Sequence, residues 1–93
     1  MATAFVRHEV EDWDRWKQGY DRNGQLRAEG GVREAGIYQA HDNPNDVTVY
    51  HVFDSVEDAQ AFLGNQDLAE AMKEIGVVGE PQMWITTEVE RTS

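Results

Sequence analysis

The hydrophobic periodicity of this chain alternates between strand and helix spacing in an order that few folds accommodate. In residues 47–55, VTVYHVFDS, apolar side chains fall on every second position, as in a strand with one buried face. The same spacing is found in three further stretches, residues 3–10, 32–41 and 81–90. Helical spacing occupies the two segments between them, residues 11–31 and 55–76, and Gly64-Asn65 interrupts the second.

The resulting order, β-α-β-β-α-β, is that of the split βαβ, or ferredoxin-like, arrangement. It predicts an α+β fold in which one four-stranded antiparallel sheet carries the helices on one face. A chain of 93 residues has the size of one domain, so residues 1–93 are predicted to form a single domain.

Local signals predict where the elements begin and end. Asp12 is placed to cap the first helix, and Ser55 with Asp58 resembles a capping box for the second. Gly30-Gly31 predicts the end of the first helix. Residues 42–46, DNPND, predict a five-residue loop that joins the second and third strands as a hairpin.

The face of the sheet away from the helices needs a cover. The rows of side chains predicted on this face include both large apolar groups and charged groups. This mixture is too apolar for a solvent-exposed face and too polar for a hydrophobic core without water. These rows are Phe5, Arg7 and Glu9 on the first strand and Thr48, Tyr50 and Val52 on the third. A symmetric homodimer that packs sheet against sheet would suit such rows, with Arg7 and Glu9 pairing across the interface. The alternative is that these charges are simply solvated.

Composition excludes several classes of function. The formal charge of −10 makes nucleic acid and anionic membrane surfaces poor partners. Because cysteine is absent, disulfides, thiolate metal sites and a cysteine nucleophile are excluded. The chain shows neither a signal peptide nor a run of about 20 apolar residues, so a soluble cytoplasmic protein is expected.

Two of the three histidines lie in apolar rows of predicted central strands. His8 falls between Val6 and Val10, and His51 falls among valines and a phenylalanine. If this face meets the helices, the two imidazoles are expected to approach each other at the wall of a pocket. Neutral imidazole can hydrogen-bond a phenol or enol and shuttle its proton. Alternatively, each is a structural histidine; His41, beside the loop, is expected to be exposed.

Aromatic side chains supply candidate walls for a flat organic ligand. Trp16 and Tyr20 lie four residues apart and therefore share one face of the first helix. Trp84 adds a ring from the last strand, and Tyr38 adds a hydroxyl from the second. Alternatively, the rings of Trp16, Tyr20 and Trp84 pack in the hydrophobic core. For Tyr38 the alternative is a position in the sheet–sheet interface.

No metal site and no cofactor site is predicted. His8 and His51 with Asp21 or Glu9 could imitate a site of two histidines and one carboxylate, but Glu9 points away from His8. The chain has no phosphate-binding glycine loop, nucleophile elbow or HExxH motif.

Three stretches carry a resemblance that covers the chain from Arg7 to about Thr87: RHEVEDWDRWKQGYD, DNPNDVTVYHVFDSVEDAQAF and LAEAMKEIGVVGEPQMWIT. They resemble the antibiotic biosynthesis monooxygenase-like group of dimeric α+β barrels, and more closely a set of small bacterial proteins labelled as cyclases. The resemblance implies a homodimer with a pocket between sheet and helices in each subunit. Relatives include cofactor-free oxygenases of polyphenolic polyketides, aromatic polyketide cyclases and haem-degrading enzymes.

The haem-degrading relatives use an asparagine on the first strand and a histidine on a helix. This chain has no asparagine in residues 3–10 and no histidine in a helical segment, so haem chemistry is not expected. No catalytic set of the oxygenases maps onto these residues one by one.

The leading hypothesis is a small-molecule-binding dimeric α+β barrel that acts on a phenolic or polyketide-like aromatic substrate, by oxygenation without a cofactor or by cyclisation. His8 and His51 would be base and hydrogen-bond partner, and Tyr20 would orient the substrate between the walls. Those walls are Trp16, Trp84 and Tyr38. Two alternatives remain: a ligand-binding protein without chemistry, and a structural dimerisation domain with a filled core.

Overall fold

A computed structural model describes residues 1–93 and has four strands and four helices. The strands are β1 (Ala2–Val10), β2 (Glu34–Ala40), β3 (Asn43–Phe53) and β4 (Val77–Thr87). The helices are α1 (Trp13–Arg22), α2 (Gly24–Glu29), α3 (Val56–Leu63) and α4 (Gln66–Glu74). Each predicted helical segment is thus divided into two short helices.

The strands form one antiparallel sheet in the order β2-β3-β1-β4. The alternation along β1 buries Ala4, Val6, His8 and Val10 on one face, where they meet the helices. Phe5 and Arg7 lie on the opposite face, which we call the open face because no helix covers it. The predicted ferredoxin-like fold, with its helices on one face, is confirmed.

Two hydrophobic clusters hold the helices on the sheet. In the first, small residues of β1 let α3 approach closely; its members are Ala2, Ala4, Phe53, Ala59 and Phe62. In the second, the indole of Trp16 lies between α1 and the sheet; its members are Val10, Trp16, Val47, Val49 and Ile75. Members of both clusters, Phe62 of the first and Trp16 of the second, border a gap between the sheet and the helices.

Helix caps follow the sequence signals. The Asp12 side chain accepts a hydrogen bond from the Asp14 amide, and Ser55 Oγ accepts one from the Asp58 amide. Both predicted caps are confirmed. Each long segment is interrupted at an asparagine that precedes the next helix: Asn23 precedes α2, and Asn65 precedes α4. The Asn65 side chain caps α4.

The predicted five-residue loop at 42–46 is wrong, because β3 already begins at Asn43 and Ala40 pairs with Asn43. The next pair joins Gln39 to Val47, so residues 44–46 bulge out of the ladder between β2 and β3. Pro44 is tolerated there because a bulge needs no amide donor from it.

The last strand begins at Val77 rather than at residue 81. A register shift opposite the Arg7–Glu9 stretch of β1 absorbs the extra residues on β4. Gly79, at φ +69°, supplies the left-handed conformation that this bulge requires.

Candidate functional site

A cavity of about 50 Å³ lies between the sheet and the helices, in the gap between the two hydrophobic clusters. Alternate residues of β1 and β3 form its floor: Val6, His8, Val49 and His51. The helices supply mostly apolar walls, among them Trp16, Tyr20, Leu26, Phe62, Leu68 and Met72. The polar groups of the cavity are therefore few, and most of them come from the residues that the sequence singles out.

His8 occupies one end of the cavity floor. It is only 6% exposed, and neither ring nitrogen has a hydrogen-bond partner in the protein. Its ring meets the edge of Trp16, with 5.5 Å between the ring centroids. Burial lowers the pKa of His8 to about 4, because the charged imidazolium loses its water. At neutral pH it is a neutral imidazole with one donor and one acceptor.

His51 is hydrogen-bonded to Tyr20 at the other end of the floor. Tyr20 Oη lies 3.0 Å from His51 Nε2, while His51 Nδ1 is buried without a partner. Burial, and secondly the positive charge of Arg27, lowers the pKa of His51 to about 4. Burial is also the main cause that raises the pKa of the Tyr20 hydroxyl. A neutral phenol and a neutral imidazole thus form a pair through which one proton can be exchanged.

Helix α1 places its aromatic side chains over the cavity because they recur at helical spacing. Trp16 and Tyr20 stack with 5.1 Å between centroids, and Trp13 stacks on Trp16 from outside at 5.6 Å. Trp16 is buried, and its Nε1–H finds no acceptor in the protein. Trp16 therefore packs in the second hydrophobic cluster and also lines the cavity.

Arg27, on α2, is a cavity residue that the sequence analysis missed. Its Nη1 donates to the Tyr20 carbonyl oxygen at 2.6 Å, and its guanidinium carbon lies 3.7 Å from the centroid of the Tyr20 ring. The break at Asn23 turns α2 so that a residue seven positions after Tyr20 folds back over its ring. An unbroken helix would place Arg27 on the same face as Tyr20 but about 10 Å further along the axis, so helical periodicity does not predict this close contact.

The two histidines do not approach each other as the sequence predicts. His51 is paired with Ala4 and His8 with Val47 in the ladder, so the two histidines lie four positions apart along the strands, about 14 Å at the usual strand rise. Val6 and Val49 lie between them on the floor. Both imidazoles line the cavity, but at opposite ends.

Trp84 and Tyr38 do not line this cavity, because both lie on the open face of the sheet. Together with Tyr50 and Phe5 they form a row across all four strands, which we call the aromatic row. Trp84 stacks on Phe5 at 5.4 Å, and Tyr38 stacks on Tyr50 at 6.1 Å. Trp84 remains 43% exposed and Tyr38 61% exposed. Their direction follows from the ladder, in which Trp84 is paired with Phe5 and Tyr38 with Thr48.

The carboxylates weighed as metal ligands lie apart from the histidines. Asp21 accepts hydrogen bonds from Lys17 Nζ at 2.8 Å, and Glu9 is exposed. No group of three histidine or acidic side chains comes together in a way that could hold a metal ion. His41 lies exposed in the turn between β2 and β3, as expected.

None of the helices combines the length and the apolar character needed to span a bilayer. The sequence matches no protein-family model and none of the curated proteins.

Solved structures, in contrast, match over almost the whole chain. A candidate antibiotic biosynthesis monooxygenase from Bordetella bronchiseptica superimposes with a TM-score of 0.80 at 15% identity, over 96% of this chain and 97% of that one. SnoaB, a cofactor-independent oxygenase from Streptomyces nogalater, gives 0.78 at 12% identity, over 97% and 94%. A candidate monooxygenase of the same description from Deinococcus radiodurans gives 0.76 at 13% identity, over 100% and 97%. This chain therefore has the ferredoxin-like α+β fold of the antibiotic biosynthesis monooxygenase-like proteins.

Proposed function

We propose that this chain binds a small aromatic ligand with a phenolic or enolic oxygen in the cavity between sheet and helices, and transfers a proton from that oxygen. The observation that carries the proposal is the hydrogen-bonded Tyr20–His51 pair at a largely apolar cavity. An apolar pocket with a few convergent polar groups is the usual form of a small-molecule site.

The unpaired polar atoms of the cavity support a ligand that carries oxygen. A buried donor or acceptor without a partner costs about 1–3 kcal/mol, and four such atoms lie on His8, Trp16 and His51. Trp16 Nε1–H can only donate, so its complement is an acceptor such as an oxygen. Each neutral imidazole can donate through one nitrogen and accept through the other.

Proton transfer is the chemistry that these groups can perform. A phenol or enol beside Tyr20 and His51 can pass its proton to imidazole, while the Tyr20 hydroxyl and the Arg27 charge stabilise the developing oxyanion. The electron-rich carbanion form of the substrate can then react with dioxygen without a cofactor, or attack a carbonyl of the same molecule and close a ring. SnoaB is described as a cofactor-independent oxygenase, which favours the first course.

The cavity size constrains the ligand. A volume of about 50 Å³ holds a few water molecules, so even one aromatic ring requires the helices to move outwards. Helices α2 and α4 have no fully buried residue, which makes them the weakest part of the helix layer. A monocyclic ligand that enters by displacing these helices therefore suits the site better than a polycyclic one.

The second candidate is a ligand-binding protein without chemistry. The low pKa of both imidazoles, about 4, favours it, because each is a weak base at neutral pH. A binder would return its ligand unchanged after saturation, whereas the enzyme would consume it.

We further propose that residues 1–93 form one domain and pair as a homodimer, sheet against sheet. The exposed aromatic row supports this, since large exposed aromatic surface is typical of interfaces. Arg7 does not need Glu9 of another subunit, because Asp46 of its own chain accepts from Nε and Nη2 at 3.0 and 2.7 Å. We also propose a cytoplasmic location for this acidic chain.

The test is binding of a neutral phenol, 4-hydroxybenzamide, followed by quenching of tryptophan fluorescence and by oxygen uptake. We expect saturable quenching by the wild-type protein, about tenfold weaker affinity in Tyr20→Phe and His51→Gln, and unchanged affinity in the exposed control His41→Gln. Equal affinity in all four proteins would contradict the proposal. Oxygen uptake or conversion separates the enzyme from the binder.

A further inference from the structure

The charges around the cavity differ from those of the rest of the chain. Five of the eight Lys and Arg side chains form ion pairs with carboxylates, in a chain of net charge −10. Arg27 forms none of them, although it is partly buried. No carboxylate lines the cavity, and Arg27 is its one charged lining residue. The cavity is therefore locally positive in an acidic protein.

The guanidinium of Arg27 is held in place by Tyr20, but most of its N–H donors have no hydrogen-bond partner. One hydrogen bond, from Nη1 to the Tyr20 carbonyl, and the stack on the Tyr20 ring fix the plane of the group. An arginine has five N–H donors, so most of them remain free for a ligand. The Asp21 carboxylate is bound to Lys17 and forms no ion pair with Arg27.

We propose that the ligand of this site is an aromatic carboxylic acid whose carboxylate binds Arg27 while its ring hydroxyl faces Tyr20 and His51. A planar guanidinium matches a carboxylate in two parallel hydrogen bonds, and its position beside Tyr20 leaves the ring of the ligand in the apolar part of the cavity. The inference rests on the proposed function in that both require a ligand in this cavity, and it adds the charged group by which the ligand is selected.

An anion also needs such a site in order to bind here at all. The net charge of −10 repels carboxylates from most of the surface, so a local cation is required for their entry. A hydrogen bond to a charged group contributes about tenfold or more to affinity. We therefore expect a measurable preference for the acid over an uncharged ligand of the same shape.

The experiment compares 4-hydroxybenzoate with 4-hydroxybenzamide, which differ in charge and little in shape, by tryptophan quenching at pH 7. In the wild-type protein the acid should bind about tenfold more tightly than the amide. Arg27→Gln should abolish this preference, so that the variant binds the acid and the amide with affinities within about twofold of each other. The control Arg22→Gln, a cation outside the cavity, should keep the preference.

Equal affinity of the wild-type protein for the two compounds would overturn the inference, as would a preference that survives in Arg27→Gln. Binding of the amide without any preference for the acid would leave the proposed function standing while refuting this addition. If neither compound quenches, both the inference and the proposed function fail. Thermal unfolding of Arg27→Gln, compared with Arg22→Gln, shows whether the variant is folded before its affinities are compared.

Discussion

His8 and His51 show how a buried titratable residue connects a site to stability. Each imidazole lies on a strand among valines, where the sheet ladder fixes its direction and the helix layer excludes water. The protonated form is therefore disfavoured in the folded chain. The same neutral form is the one that can both donate to and accept from a phenol.

Stability should consequently fall in mild acid. Both pKa values are about 4 in the folded chain and near 6.5 when unfolded, so between these values only the unfolded chain takes up the proton. The free energy of unfolding is then lost as the pH falls from about 6.5 towards 4, by roughly 2 kcal/mol per histidine between pH 7 and pH 5. Urea denaturation at the two pH values measures the loss.

Replacing either histidine with glutamine isolates its share of this loss. Glutamine does not titrate, so His8→Gln and His51→Gln should each reduce the difference between pH 7 and pH 5 by roughly 2 kcal/mol. A difference that stays the same in both variants would show that these imidazoles are not the groups that titrate.

At the scale of elements, Gly19 sets how closely α1 approaches the end of α4. A Cβ added to Gly19 would overlap Cγ2 of Ile75, a member of the second hydrophobic cluster. The same helix carries Trp16 and Tyr20, which line the cavity. Glycine is thus placed here for close packing and not for a special backbone conformation.

Gly19→Ala should destabilise the protein by about 1–3 kcal/mol, although alanine is the better helix former. Gly24→Ala is the matched control, because its Cβ meets only Arg27 Nη2 at 3.7 Å, an ordinary contact. That change should be neutral or stabilising by up to about 1 kcal/mol. Urea denaturation of both variants checks the difference, and equal effects would contradict the packing argument.

The order of elements and two helix caps could be predicted from the sequence, because periodicity and capping depend on neighbouring residues. The errors concern features set by residues far apart in the chain. The bulges at Pro44 and Gly79 follow from pairing with other strands, so their residues resemble loops. The separation of His8 from His51 depends on the register of β1 against β3, which period-2 spacing does not fix.

The candidate site residues also fall into two groups, those placed by local periodicity and those placed by contacts between distant residues. Trp16, Tyr20, His8 and His51 lie at the cavity because each shares a predicted face with apolar neighbours. The faces of Trp84 and Tyr38 depend on strand starts and bulges that the sequence did not reveal. Arg27 was missed because its contact arises from the helix break at Asn23.

In the whole molecule, the two faces of the sheet differ in what covers them. The helix face encloses the cavity, and the open face presents the aromatic row. On the open face, Tyr50 lies over Gly36, where a Cβ would overlap its ring, and its hydroxyl donates to Glu34 at 2.9 Å. The row is therefore held in place by contacts within one chain, on the face where we propose the dimer contact.

A charge in the aromatic row should separate the subunits. Trp84→Glu places a carboxylate at the proposed interface and should convert a dimer, of twice the 10.6 kDa chain mass, into a monomer in analytical ultracentrifugation. Val89→Glu adds the same charge at a residue 95% exposed beyond the end of β4, and should leave the dimer intact. A wild-type protein that sediments as a monomer would refute the proposed dimer.

The central claim is that a phenolic ligand occupies the cavity beside Tyr20 and His51. Nitrogen-15 NMR of the histidine rings tests this directly during titration with 4-hydroxybenzamide. We predict that the ring-nitrogen signals of His51 move to saturation, while those of the exposed His41 stay in place. Signals of His51 that do not move, or that move no more than those of His41, would contradict the proposed function.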